Sequence, residues 1–160
     1  FAQSIAQNGL ENVRVVQGDL RDVRRLLPHA SMQYVICNPP YFAQGTGKAA
    51  AGAARRAARQ DASASLDDIL DAIAWVLPTG GQCALVFRPE RLCQLLSGLE
   101  ARGFTPKRLR LIHQTAQAAP SAVLVSAKRG AADGLAVEPP LLVCGPDGAL
   151  SDEYRAIYGK

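Results

Sequence analysis

At 160 residues, 48% hydrophobic and 20% charged, the chain has the length and apolar content for one globular core and is far from the composition of a disordered tail. A formal charge of +4 is a mild basic excess, compatible with a polyanionic partner but too small to establish one. No apolar run approaches the roughly 20 residues that span a bilayer, and the first residues lack the basic segment and apolar core of a signal peptide, so no membrane partner and a cytoplasmic address are expected.

The chain opens with a helical face (Phe1, Ile5, Ala6) stopped by Asn8-Gly9. Val13, Val15 and Val16 predict a short strand, and Gly18-Asp19 turns into a helical stretch over Leu20 to Leu27 that closes at Pro28. Tyr34-Val35-Ile36-Cys37 is a continuous apolar run of the kind expected for a strand buried on both faces. From Ala43 to Ser65 the composition shifts to Gly, Ala, Arg and Gln, which predicts a lid-like loop.

Ser65 is a good N-cap, Asp67 and Asp68 suit the positive end of a helix dipole, and Leu66, Ile69, Leu70, Ile73, Ala74 and Leu77 form a 3.6-period stripe. Cys83 to Phe87 reads as another continuous apolar strand. Pro89-Glu90 then opens a helix with Leu92, Leu95, Leu96 and Leu99 facing a core, and Gly103 ends it. Two strands around Leu109 to Ile112 and Ala122 to Ala127, joined by a loop, predict an antiparallel hairpin. The tail predicts a strand over Leu141 to Cys144, a turn at Pro146-Asp147-Gly148 and a short helix from Ser151. Alternating strands and helices followed by a hairpin predict an α/β fold with a parallel sheet and an antiparallel addition.

The four cysteines, Cys37, Cys83, Cys93 and Cys144, lie far apart with no C-x-x-C pair, so they read as reduced and mostly buried thiols. His29 and His113 have no partner at metal-ligand or triad spacing, and no metal is expected. Gly45-Thr46-Gly47-Lys48 lacks the glycine spacing and the following Ser or Thr of a phosphate loop. Arg55, Arg56 and Arg59, with Lys107, Arg108 and Arg110, are either a clasp for an RNA backbone or solvated faces.

Asn38-Pro39-Pro40-Tyr41 follows the Tyr34 to Cys37 strand at the end where open α/β sheets bind ligands. Two prolines cannot continue a ladder, so the exit from the sheet is rigid. An amine whose lone pair is delocalised into a ring, such as adenine N6, needs acceptors for its two hydrogens to become a nucleophile. The Asn38 side-chain oxygen and the Pro39 carbonyl can supply them, and Tyr41 can stack on a base brought into the pocket. The alternative is that the tetrapeptide is only a tight turn with a half-buried aromatic.

Asn38-Pro39-Pro40-Tyr41 resembles the catalytic motif of amino-group methyltransferases of the Rossmann-like class I fold. With Phe42, the Gly45 to Lys48 stretch, Phe87-Arg88-Pro89-Glu90-Arg91-Leu92, Thr105-Pro106-Lys107-Arg108-Leu109, Pro139-Pro140-Leu141-Leu142-Val143 and Ile157-Tyr158-Gly159, nearly the whole chain resembles the tRNA(Val) adenine N6-methyltransferase family. The resemblance implies S-adenosyl-L-methionine as cofactor and tRNA as partner, with no protein partner evident. Asn38, Pro39, Pro40 and Tyr41 are the implied catalytic residues, Asn38 also lying against the cofactor. Asp19 is implied to accept a hydrogen bond from the cofactor's adenine amino group, with the Leu20 backbone beside it. Asp19 as a plain helix cap is compatible with that role.

The family's first strand, its Gly-rich loop and its ribose-binding acidic residue are expected upstream of Phe1. Residues 1–160 are therefore expected to be the C-terminal part of a single methyltransferase domain, a class I sheet lacking its N-terminal strands, and to bind S-adenosylmethionine poorly alone. Ala58-Arg59-Gln60-Asp61 stands where many relatives carry Ala-Arg-His-Glu. The rival expectations are methylation of a release-factor glutamine, whose carboxamide nitrogen poses the same delocalisation problem, and a non-catalytic RNA-binding remnant.

Overall fold

The computed structural model describes residues 2–39 and 64–159. Helix α1 (Ala2–Gln7) ends where Asn8 Nδ2 donates to the Ser4 carbonyl and Gly9 takes a left-handed φ of 62°. A 3-10 turn (Leu20–Asp22) runs into the one-turn helix α2 (Val23–Leu26), and the chain then enters strand β1 (Tyr34–Cys37). Helix α3 (Leu66–Val76) leads to β2 (Gln82–Phe87), and a second 3-10 turn (Pro89–Arg91) leads to α4 (Leu92–Glu100). Strands β3 (Phe104–His113) and β4 (Pro120–Arg129) form the hairpin, followed by β5 (Ala136–Val137), β6 (Leu141–Leu142) and α5 (Asp152–Tyr158).

The sheet order is β1-β2-β4-β3-β5, with β6 also on β3. β1 and β2 are parallel, Cys37 opposite Leu85, while β4 runs antiparallel to both β2 and β3. Strand β6 falls within the Leu141 to Cys144 strand that the tail's sequence pattern predicts, whereas β5 is not predicted, and both extend the sheet parallel to β3.

Helices α2, α3 and α4 pack on one face. In α3 the predicted cap is present as a full capping box: Ser65 Oγ accepts from the Asp68 N–H, and the Asp68 carboxylate accepts from the Ser65 N–H. Its stripe of Ile69, Leu70, Ile73, Val76 and Leu77 meets Cys83, Leu85 and Phe87 of β2 and Leu95 and Leu99 of α4 in one core. Each such side chain contributes on the order of 2 kcal/mol by leaving water. Gly103, with φ 75°, stops the helical run as expected and turns the chain into β3. Arg129 then ties the far end of β4 to α3, donating from Nη1 to the carbonyls of Ala74 and Leu77.

Three expectations are corrected. β1 is not buried on both faces: Val35 and Cys37 pack on the core, whereas Ile36 is 86% exposed and Tyr34 70%. The bare face continues through Ala84, Val86, Leu124 and Ser126, because no described helix crosses it. Val13 to Val16 form no strand, since none of the described strands pairs with them and a strand needs a partner for its N–H and C=O groups. Only Cys83 of the four thiols is buried; Cys93 is exposed on α4 and Cys37 and Cys144 are intermediate. Among the described residues no helix is long and apolar enough to cross a membrane.

Candidate functional site

Asn38 and Pro39 leave β1 at its carboxyl end. The alternation of the strand continues through them: Asn38 is exposed and Pro39 is buried, so the ring is fixed on the core side while the carboxamide is open to a ligand. Pro40 and Tyr41 lie outside the described residues, as do the predicted lid, the Gly45 to Lys48 stretch and Arg55, Arg56 and Arg59.

A βαβ crossover starts its helix near the carboxyl end of the first strand, so Ser65 and Asp68 at the start of α3 mark the end from which Asn38 emerges. Asp19 belongs to that end as well, since Arg21, which holds its carboxylate, lines one cleft with Asp68. The 3-10 turn that begins at Leu20 packs against α3, leaving a cleft of about 320 Å3 lined by Leu20, Arg21, Arg24, Asp68 and Asp71. Among the described residues no hydrogen bond joins Asp19 to Asn38.

Asp19 is the N-cap of that turn, with extended backbone, and its Oδ1 accepts from the Arg21 N–H at 2.9 Å. The Arg21 side chain closes on the same carboxylate, Nε to Oδ1 at 2.9 Å and Nη2 to Oδ2 at 2.6 Å. These bonds hold the Asp19 carboxyl down to about 2, so it is ionised at any physiological pH. Gly18 packs closely on the one-turn helix: a Cβ there would stand 2.5 Å from Leu26 Cδ1, which would have to move aside. Neither Arg21 nor the packing role of Gly18 is read from the sequence pattern, although Gly18-Asp19 as a turn is.

An ionised carboxylate has about four acceptor positions and no donor. Asp19, exposed and acceptor-only, therefore fits an N–H donor such as the amino group of an adenosyl moiety, and the Asn38 carboxamide oxygen fits the N–H of a second amine. Leu20, 39% exposed, begins the turn beside Asp19.

The basic residues of β3 are engaged within the fold. Arg108 pairs with Glu138, Arg110 Nη2 pairs with Glu153 at 2.7 Å, and Lys107 donates to the carbonyls of Ala132 and Asp133. Alternation places Arg108 and Arg110 on the bare face, opposite Ser126 and Leu124, where they edge an apolar trough of about 340 Å3. His113 Nδ1 lies 2.7 Å from the Ala118 carbonyl, and His29 packs edge-on against Trp75.

No family model matches the chain. Over 121 residues it is 28% identical to the tRNA1(Val) (adenine(37)-N6)-methyltransferase of Shewanella halifaxensis, an alignment that covers 67% of this chain and 48% of the relative. The chain thus spans about half the length of that curated relative, whose description is the family that the motifs resemble. Among solved structures, a predicted O-methyltransferase from Agrobacterium tumefaciens superposes with a TM-score of 0.71 at 20% identity, covering 98% of this chain and 71% of that one. A structure described as a DNA modification methylase of Thermus thermophilus, complexed with S-adenosyl-L-methionine, superposes with a TM-score of 0.51 at 17% identity over 72% of this chain and 53% of that one. The chain shares the α/β, Rossmann-like fold of the Agrobacterium tumefaciens structure.

Proposed function

We propose that this chain carries the catalytic motif of an S-adenosylmethionine-dependent methyltransferase that modifies the N6 amino group of an adenine in tRNA. The observation that carries the reading is the exit of β1: an exposed Asn38 carboxamide held by a buried Pro39 at the ligand-binding end of the sheet. The 28% identity to a tRNA adenine N6-methyltransferase supports the substrate class. In this reading residues 1–160 are part of one catalytic domain with a cytoplasmic address.

Bound S-adenosylmethionine supplies an electrophilic methyl group. The residues of the chain prepare the nitrogen that receives it. The Asn38 side-chain oxygen and the Pro39 carbonyl accept the two hydrogens of the amine, which draws its lone pair out of conjugation and aims it along the line of attack. Tyr41 stacks on the base. Asp19 accepts from the cofactor's adenine amino group, a role its ionised state suits. No strong base is needed, because the nitrogen becomes acidic once methylated and its proton passes to water.

Methyl transfer from labelled S-adenosylmethionine to unmodified tRNA and, in parallel, to a release-factor substrate tests the proposal, using the chain joined to the upstream cofactor-binding strands that the resemblance implies, with products identified by mass spectrometry. N6-methyladenosine supports it. Methylglutamine would move the activity to proteins, and transfer to neither substrate would sink the proposal.

A further inference from the structure

The segment Phe87-Arg88-Pro89-Glu90-Arg91-Leu92 leaves the sheet at the carboxyl end of β2, next to the exit of β1. Cys37 pairs with Leu85, so the register carried two residues further sets Pro39 level with Phe87, and both are buried. The Arg91 guanidinium lies over the Phe87 ring, 5.5 Å from its centroid, and Arg91 Nε donates to Gln94 Oε1 at 2.8 Å. Those two contacts fix the plane of the fork from one face and one edge.

Its electrostatic situation differs from that of the arginines held in ion pairs. Arg21, Arg102, Arg108 and Arg110 each meet a carboxylate. Among the described residues Arg91 meets none, and its two Nη groups have no acceptor. A half-buried guanidinium, oriented by an aromatic ring and an amide yet unneutralised, is preorganised for an external anion.

We propose that Arg91 binds a phosphate of the nucleic acid whose target base is presented to Asn38. The inference rests on the tRNA reading above and names the backbone contact nearest the reacting base. The basic run of β3 is a poorer candidate, because Arg108 and Arg110 are spent on Glu138 and Glu153. A phosphate contact contributes affinity without reading sequence, and its signature is counterion release.

The test is fluorescence anisotropy of labelled unmodified tRNA against the full chain across a salt series, for the native protein and for Arg91→Gln, Arg91→Lys and Arg108→Gln. Replacing Arg91 by Gln should weaken binding and lower the slope of log affinity against log salt by about 0.7 to 1, one phosphate contact. Arg91→Lys should recover most of that slope and Arg108→Gln should leave it unchanged. Circular dichroism establishes that each variant is folded. A folded Arg91→Gln with the native slope overturns the contact, as does a native chain that binds no tRNA at any salt. The binding measurement is independent of methyl transfer: an Arg91-dependent slope without any N6-methyladenosine supports the contact and rejects the reaction.

Discussion

Arg21 occupies three acceptor positions of the Asp19 carboxylate, two on Oδ1 and one on Oδ2, so of about four positions one remains, on Oδ2. The cap of the turn and the acceptor offered to a ligand are the same group, and one neighbouring side chain sets both its orientation and its charge.

That arrangement predicts a titration. In the native chain the carboxyl carbon of Asp19, followed by NMR, should titrate near 2, and Arg21→Ala should return the midpoint toward the ordinary 3.8. Because the folded value lies below the unfolded one, whatever this cap contributes to stability is fully present above about pH 4 and is lost as pH falls toward 2. A native midpoint near 3.8 would show that the Arg21 fork is open in solution.

Asn38→Ala removes an exposed side chain that makes no hydrogen bond to the described residues, so the fold should change little. Methyl transfer in a single turnover should fall by about 3 kcal/mol of transition-state stabilisation or more, roughly a hundredfold, by analogy with removal of one oxyanion-hole donor. Near-native turnover would place the chemistry elsewhere.

The cysteines should react in order of environment. Burial pushes the Cys83 thiol up to about 11, while Cys93 is exposed on α4. Iodoacetamide at pH 8 followed by peptide mass spectrometry should label Cys93 first and Cys83 only on unfolding. Early labelling of Cys83 would mean that β2 opens readily.

Gly98→Ala sets two effects against each other in α4. Alanine improves helix propensity by about 1 kcal/mol, but its Cβ would stand 2.6 Å from Leu70 Cδ1, a side chain 1% exposed in the core between α3 and α4. Overpacking a filled core costs about 1 to 3 kcal/mol, so a net loss of about 1 kcal/mol is expected from urea unfolding. An increase in stability would show that Leu70 has room to turn aside.

Much of the element pattern is legible in the residues because its causes are local. Ser65 and Asp68 cap α3 three residues apart, the leucines of α4 recur at helical spacing, and Gly103 supplies a positive φ at the end. The rigid exit at Asn38-Pro39 is local too, since proline cannot donate to a ladder wherever it stands. Other features depend on residues far apart in sequence. Apolar Val13 to Val16 read as a strand, yet pairing is a property of two segments. The run Tyr34 to Cys37 reads as doubly buried, yet whether Ile36 meets a neighbour depends on what crosses that face.

Charge shows the same division. Composition establishes a basic excess and the β3 arginines as a cluster, but alternation on the strand and ion pairs with Glu138 and Glu153, 30 and 43 residues away, determine that two of them are spent within the fold. In the sequence Arg91 stands only as part of the Phe87 to Leu92 segment that carries the resemblance, and only the packing of the segment after β2 puts its guanidinium on Phe87, one strand from Asn38. Short-range steric and hydrogen-bonding rules thus determine from sequence which residues cap, turn and rigidify. Which charges are neutralised, which faces are covered and which side chains share the end of the sheet are decided by tertiary structure, because those depend on contacts that chain order does not encode.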